Sequence, residues 1–430
     1  MYLTKEMKEL MMNNDLTFSN NTSKKGYAFT ITWLIFIIQF IGLILLVIRQ
    51  SEQSNIKLIA LSVGFILATL ISNIYIPKLT KGDNTLVYIV NMLYSIGLLL
   101  IMRLNANTGT THILWYIMAF FGFILVYLIL SNYMKFLKNK FWFYFTITLM
   151  TFIVTLVLAK NTDGARNWIR ITEGITIQLS EFAKISYIFM IASFYGDYEK
   201  FESEKYGKYY LNIATYIFIG LFFLQGELGT AMVFFATFII SMFVFEKDYV
   251  RMFINVLLAF LGLFIAYKLF GHIRVRFDIW LDPWADYHGR GYQIVQGLFA
   301  VASGGMFGKG LGLGTPNMIP VATSDFIIPA IIEEMGVFMG IGIILLYTIL
   351  IYKGIKIALT NSDRFFSSLA FGVTLVFASQ SLVMFGGVLK LIPLTGITTP
   401  FMSYGGSSTL ANFILLAVLQ YTASKKVSYE

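Results

Sequence analysis

Long apolar stretches separated by short polar ones run through almost the whole chain. Most are roughly 20 residues long, the length that crosses a bilayer's hydrocarbon core of about 30 Å as a helix. The pattern predicts twelve spans, near 28–48, 57–77, 85–103, 112–132, 141–159, 178–195, 209–225, 228–245, 252–270, 326–352, 366–388 and 401–422. The predicted class is therefore an all-α polytopic membrane protein. An even number of spans puts both termini on one side. The larger share of the 32 Lys and Arg residues falls on that side, Lys135, Lys138 and Lys140 among them, so it is expected to be cytoplasmic. Residues 1–27 read as a cytoplasmic tail, because the span that follows is too long for a signal-peptide core and no small-residue cleavage site is present. Residues 423–430 read as a second cytoplasmic tail.

Composition narrows the chemistry. Hydrophobic side chains make up 57% of the chain and charged ones only 13%, too few charges for a water-soluble core. With no cysteine there is no disulfide, thiolate nucleophile or cysteine-ligated metal, and the three histidines lack zinc spacing. The net charge of +9 sits at the ends of spans, where it sets orientation, so no nucleic-acid partner is expected.

Two outer segments, 160–177 and 271–325, carry more basic residues than an orientation rule would place there, and the second, at about 55 residues, is long enough to suggest function. In the first, Arg166 and Trp168 pair a cation with an amphipathic aromatic, which suits an interfacial anchor or a ligand contact. Glu181 and Lys184 follow three residues apart at a span entrance, so on a helix they share a face and can pair. Ionisable residues at that depth are functional suspects, the alternative being a structural ion pair between helices. Glu227 lies between two glycines at another outer turn. The long segment interleaves His272, Arg274, Arg276, Asp278, Asp282, Asp286 and Arg290 ahead of Tyr292 and Gln293. Guanidinium groups bind phosphate and a partly desolvated carboxylate accepts a hydroxyl proton, so the mixture suits a phosphorylated, hydroxyl-bearing substrate. The glycine-dense run 303–315 is no nucleotide loop, since Gly310 follows Lys309 where Ser or Thr is needed and no strand precedes it. A re-entrant or tightly turned loop is expected instead. Ser403 and Tyr404 open the last span in a stretch of small and hydroxyl residues that permits close backbone approach.

Taken in order, GARNWI at 164–169, QLSEFAK at 178–184, QGELGTA at 225–231, GYQ at 291–293, SGGMFGKGLGLG at 303–314, SDFI at 324–327 and TPFMSYGGSS at 399–408 resemble the SEDS family, which contains RodA, FtsW and SpoVE. The resemblance covers roughly residues 85–422. It leaves 28–84 as two extra N-terminal helices, as in the twelve-span members. It implies a peptidoglycan glycosyltransferase that polymerises lipid II at the outer face of the bacterial cytoplasmic membrane, in elongation, division or sporulation, alongside a class B penicillin-binding transpeptidase. The family's essential aspartate lands on Asp286. Leu179, Gly226-Glu227 and Tyr287 stand where the family usually has Pro, Pro-Asp and Pro, and residues 321–324 replace its Glu-x-His-Thr, so roles for that glutamate and histidine do not transfer.

On this reading Asp286 is the general base. Arg166, Lys184, Arg274, Arg276 and Arg290 are candidates to cradle a pyrophosphate, and Glu181 orients Lys184 or holds a divalent cation, Mg or Mn. Trp168, Glu227, Tyr292, Gln293, Ser403 and Tyr404 are further expected substrate contacts, and no organic cofactor is implied. Two rivals remain at this point: a lipid II transporter, which would need polar groups through the full membrane depth, and a non-catalytic scaffold for the transpeptidase.

Overall fold

The computed structural model describes residues 21–49, 56–80, 82–159, 166–172 and 175–425. Most of the N-terminal tail, the last five residues and Gly164-Ala165 of the first outer motif lie outside these. Twelve long helices correspond to the twelve expected spans: α1 Asn21–Arg49, α2 Ile56–Thr80, α3 Asn84–Leu104, α4 Ala106–Leu137, α5 Phe141–Leu158, α6 Leu179–Gly196, α8 Tyr210–Gln225, α9 Leu228–Phe245, α10 Tyr249–Leu269, α13 Ile327–Thr360, α14 Arg364–Val388 and α15 Gly406–Ser424. Short helices α7 Tyr198–Ser203, α11 Gly271–Leu281 and α12 Tyr292–Gly304 complete the set, with a two-stranded antiparallel hairpin, β1 Trp168–Thr172 and β2 Ile175–Gln178. The hairpin is a small addition to a fold that is otherwise the expected all-α one. Side-chain oxygens fix several starts: Asp83 accepts from Thr85 N at 2.9 Å and Asn105 from Thr108 N at 3.0 Å.

Ten of these helices are long and apolar enough, by length and composition, to cross a membrane. The other two, α6 and α15, are as long but carry Glu181, Lys184, Asn412 and Gln420, all buried. They are central. α6 packs against α5, α14 and α15, and α15 also packs against α4, so their polar groups meet protein instead of lipid. α10 is the opposite case. Val250, Phe253, Leu257, Phe260 and Phe264 are all exposed, a surface tolerable only against lipid or another apolar helix. The two N-terminal helices are tied to the core by buried polar contacts. Gln39 Nε2 donates to Thr69 Oγ1 at 3.1 Å and Ser95 Oγ at 2.8 Å, and Asn91 Nδ2 donates to Ser72 Oγ at 2.6 Å and Asn73 Oδ1 at 2.7 Å.

The glycine-dense run has a structural task. α13 breaks at Gly336, which adopts φ 83°, and a broken helix in a membrane protein needs new partners for its freed backbone groups. The run supplies them. Val337 N donates to Gly305 O at 2.9 Å and Phe338 N to Met306 O at 3.2 Å, while Lys309 N and Gly310 N donate to Glu333 O and Glu334 O, both at 2.9 Å. A Cβ on Gly308 would lie 2.3 Å from Glu334 O, so only glycine permits this approach. Side chains reinforce the clasp: Lys309 Nζ bonds Glu333 Oε1 at 2.7 Å, Gly312 N bonds Glu334 Oε2 at 2.9 Å, and Arg103 Nε pairs with Glu334 Oε1 at 3.3 Å. The long outer segment is thus ordered, as two helices and a glycine clasp.

Candidate active site

The hairpin sets the outer rim. Arg166 N donates to Gln225 O at 2.9 Å, and the Asn167 amide, oriented to suit its neighbours, donates to the same carbonyl at 2.8 Å, so residues 166–168 lie over the end of α8. Arg166 and Trp168 are exposed there. β2 runs directly into α6, and Gln178 joins them to the buried layer below: its Nε2 donates to Glu227 Oε1 at 2.8 Å and its backbone N to Ser407 Oγ at 3.4 Å.

In that layer Lys184 Nζ stands 2.7 Å from Glu181 Oε2 and 3.0 Å from Gln380 Oε1, and the Gln380 amide donates to Thr398 O at 2.9 Å. Glu181 Oε2 is buried against that ammonium. Glu227 caps the turn between α8 and α9, with Gly226 in the left-handed region ahead of it. Its Oε1 accepts from Gln178, from Ser180 Oγ at 3.2 Å and from Thr230 Oγ1. Burial pushes the Glu227 carboxyl up to about 7, the nearby Glu181 charge adds to this, and the hydroxyl donors and Lys184 oppose it.

The rise makes a prediction of definite sign. A carboxyl with a raised folded-state pKa lowers stability as pH rises from its usual 4.5 through about 7, because the folded chain must give up a proton it favours. Glu227→Gln keeps an oxygen for all three donors and removes the charge. In detergent its thermal midpoint should gain on wild type between about pH 5 and pH 8, at the low-pH end little changed. Parallel midpoint curves for the two proteins would contradict this placement of Glu227.

Arg276, on α11, reaches the same region. Its Nη1 donates to Leu394 O at 3.3 Å and Thr395 O at 2.7 Å, and Trp280 Nε1 donates to Lys390 O at 3.1 Å, which latches α11 onto the segment after α14. The charges of Asp325 and Glu227 both act on its guanidinium, partly offsetting burial, which lowers its pKa. Asp325 was not singled out by the sequence reading, although it is the carboxylate of SDFI; burial raises its pKa to about 6, against a hydrogen bond from Ser324 and the Arg276 charge. Ser403 and Tyr404 hold this segment: Ser403 Oγ donates to Ser324 O at 2.6 Å and Tyr404 N to Thr323 O at 2.8 Å. Gln178 lies in the QLSEFAK stretch but carried no expected role, and Gln380 lies outside every motif.

Asp286 ends a short turn, Pro283–Asp286, and is half-exposed. Its Oδ2 accepts from Arg290 N at 3.1 Å and Arg290 Nε at 3.2 Å, and these bonds hold its carboxyl below the usual range. A Cβ on Gly289 would fall 2.3 Å from Asp286 Oδ1, so a larger residue there would displace the Asp286 carboxylate. Every ionic contact of Asp286 is local, so the structure does not bring it, or the exposed Arg290, against Glu181, Lys184 or Glu227. Tyr292 and Gln293 begin α12, half-buried, the Tyr292 ring 6.2 Å from that of Tyr287. Arg274 points elsewhere, donating to Lys268 O at 3.1 Å with its guanidinium over Tyr267. Among the described residues no three Asp, Glu or His side chains gather as metal ligands.

The sequence model of the cell cycle protein family of FtsW, RodA and SpoVE matches residues 83–428. The chain belongs to this family. It is 34% identical to the peptidoglycan glycosyltransferase RodA of Mycobacterium tuberculosis over 87% of this chain and 86% of that one. It is 31% identical to the stage V sporulation protein E of Bacillus subtilis, over 80% and 97% of the two chains. Its fold matches that of a chain from a peptidoglycan synthase complex that coordinates polymerization and crosslinking, with a TM-score of 0.67 at 22% identity over 81% of this chain and 99% of that one. The rod shape determining protein RodA of Thermus thermophilus matches with a TM-score of 0.57 at 20% identity, over 81% and 98%. The family model begins at residue 83, where α3 starts, so α1 and α2 precede the family core and the glycine clasp, Glu227 and Asp286 all lie within it.

Proposed function

We propose that this chain is a peptidoglycan glycosyltransferase that polymerises lipid II at the outer face of the cytoplasmic membrane, with both termini cytoplasmic. The observation that carries the reading is the gathering of Glu181, Lys184, Glu227, Arg276 and Asp325 at one end of the helix bundle, in a member of a family whose relatives are named for this activity. In the reaction Asp286 takes the proton of the acceptor's sugar 4-hydroxyl. The freed oxygen bonds to the donor's anomeric carbon as the bond to pyrophosphate breaks, and the polyprenyl pyrophosphate leaves with the electron pair. Lys184 opposes the negative charge that develops on the leaving group, and Arg166 and Arg290 at the exposed rim guide its approach. Arg290 must then part from Asp286 when substrate arrives, which the exposure of both side chains permits. Likeness to a chain of a peptidoglycan synthase complex supports a class B penicillin-binding transpeptidase as partner.

A transporter would need charge at mid-depth. Among the described residues no Asp, Glu, Lys or Arg occupies the middle third of any of the twelve long helices. That distribution favours catalysis at one face. The test is to incubate the purified chain with lipid II, alone and with a class B partner, and look for glycan strands, which the reading requires in at least the paired reaction.

A further inference from the structure

Arg276 and Asp325 face each other without touching. They come from α11 and from the turn ahead of α13, and the floor between them is Gly396, at φ +71°. A Cβ placed on Gly396 would lie 3.4 Å from Asp325 Oδ2 and 3.6 Å from Arg276 Nη2, and within 4 Å of no other atom outside residues 395–397. No ion pair closes that gap among the described residues. Opposite charges recessed from water ordinarily meet, because each uncompensated charge carries a desolvation cost. Here both ends are fixed instead. Arg276 Nη1 is held by Leu394 O and Thr395 O, which leaves Nη2 toward the gap. The turn carrying Asp325 is held by Ser403 and Tyr404. Gly396 is exposed while Arg276 and Asp325 are half-buried, so the slot opens to the outside.

We propose that Arg276 and Asp325 form a sugar-hydroxyl binding pair, in which one hydroxyl of the lipid-linked saccharide donates to Asp325 Oδ2 and accepts from Arg276 Nη2 across Gly396. The inference rests on the glycosyltransferase reading and adds a substrate contact to it. A neutral group that both donates and accepts is the match for the slot: a phosphate oxygen would meet the carboxylate with like charge, and an ammonium would meet the guanidinium. The glycine serves this pair twice, by adopting a left-handed backbone and by leaving the floor bare.

Equilibrium binding tests the pair separately from catalysis. Fluorescent lipid II and a fluorescent polyprenyl pyrophosphate without sugars would be titrated against wild type, Asp325→Asn, Asp325→Ala, Arg276→Gln and the double variant Asp325→Ala/Arg276→Gln in nanodiscs. Asp325→Ala and Arg276→Gln should each weaken lipid II binding about 10-fold, the size of one lost hydrogen bond to a charged group. The double variant should be little weaker than either single one, and the sugar-free lipid should bind all variants alike. In turnover the loss should fall on KM more than on kcat, because the contact exists in the ground state. Wild-type affinity for lipid II in both Asp325 variants overturns the pair, as does an equal loss for both lipids. Failure of wild type to polymerise lipid II would overturn the activity and leave these binding measurements to decide the pair; Asp325→Asn, which preserves shape, guards against a folding defect in Asp325→Ala.

Discussion

Asp286→Asn is expected to lower glycan polymerisation by at least about 100-fold, the lower end of what a positioned general base contributes. The amide cannot take the acceptor's proton, yet its oxygen can still accept the Arg290 backbone N–H that now reaches Asp286 Oδ2 at 3.1 Å. The side chain is half-exposed and its contacts are local, so folding and membrane insertion should match wild type. Arg290→Ala separates the two parts of this account. Removing the guanidinium takes away part of what lowers the Asp286 pKa, so the acid limb of its activity should move toward higher pH. Polymerisation by Asp286→Asn at the wild-type rate would remove Asp286 from the chemistry.

Lys184→Met should be damaging in a second way. The ammonium is fully buried, 2.7 Å from Glu181 and 3.0 Å from Gln380. Deleting one partner of a buried ion pair leaves the other uncompensated, at a cost of about 3–5 kcal/mol. The variant should unfold at a clearly lower temperature and lose polymerisation. Glu181→Gln/Lys184→Met removes both charges and should recover most of the thermal stability, since replacing a whole buried pair by neutral groups is often close to neutral. Activity should stay low in the double variant, because the leaving group still lacks its cation. Activity that returns along with stability would make the pair a structural tie between helices and nothing more.

The helices were legible because lipid imposes length and apolarity together, and the i, i+3 spacing of Glu181 and Lys184 announced their pairing before any contact was known. The hairpin was hidden. Trp168–Thr172 and Ile175–Gln178 alternate with period two, but each is too short to stand out beside a span entrance, and Gln178 reads equally well as the start of the next helix. Nothing local singles out Gly336 as the break either, since Gly340 and Gly342 follow in the same helix without one, and its meaning comes from residues 305–310 folding back on it. Asp325 was missed for a related reason. It acquires its partners Arg276 and Gly396 from segments far away in sequence, and no spacing rule encodes such a meeting. Arg274 and Arg276 look interchangeable in sequence, yet two positions along α11 turn one toward Tyr267 and the other toward the site.

The most direct test of catalysis against transport places the purified chain in liposomes with lipid II and a class B partner, and follows glycan polymer and lipid II translocation in the same vesicles. Polymer from wild type, its loss in Asp286→Asn, and no translocation attributable to either protein is the predicted result. Translocation that persists in Asp286→Asn, with no polymer from wild type under any partner condition, would contradict the glycosyltransferase account and establish the transporter in its place.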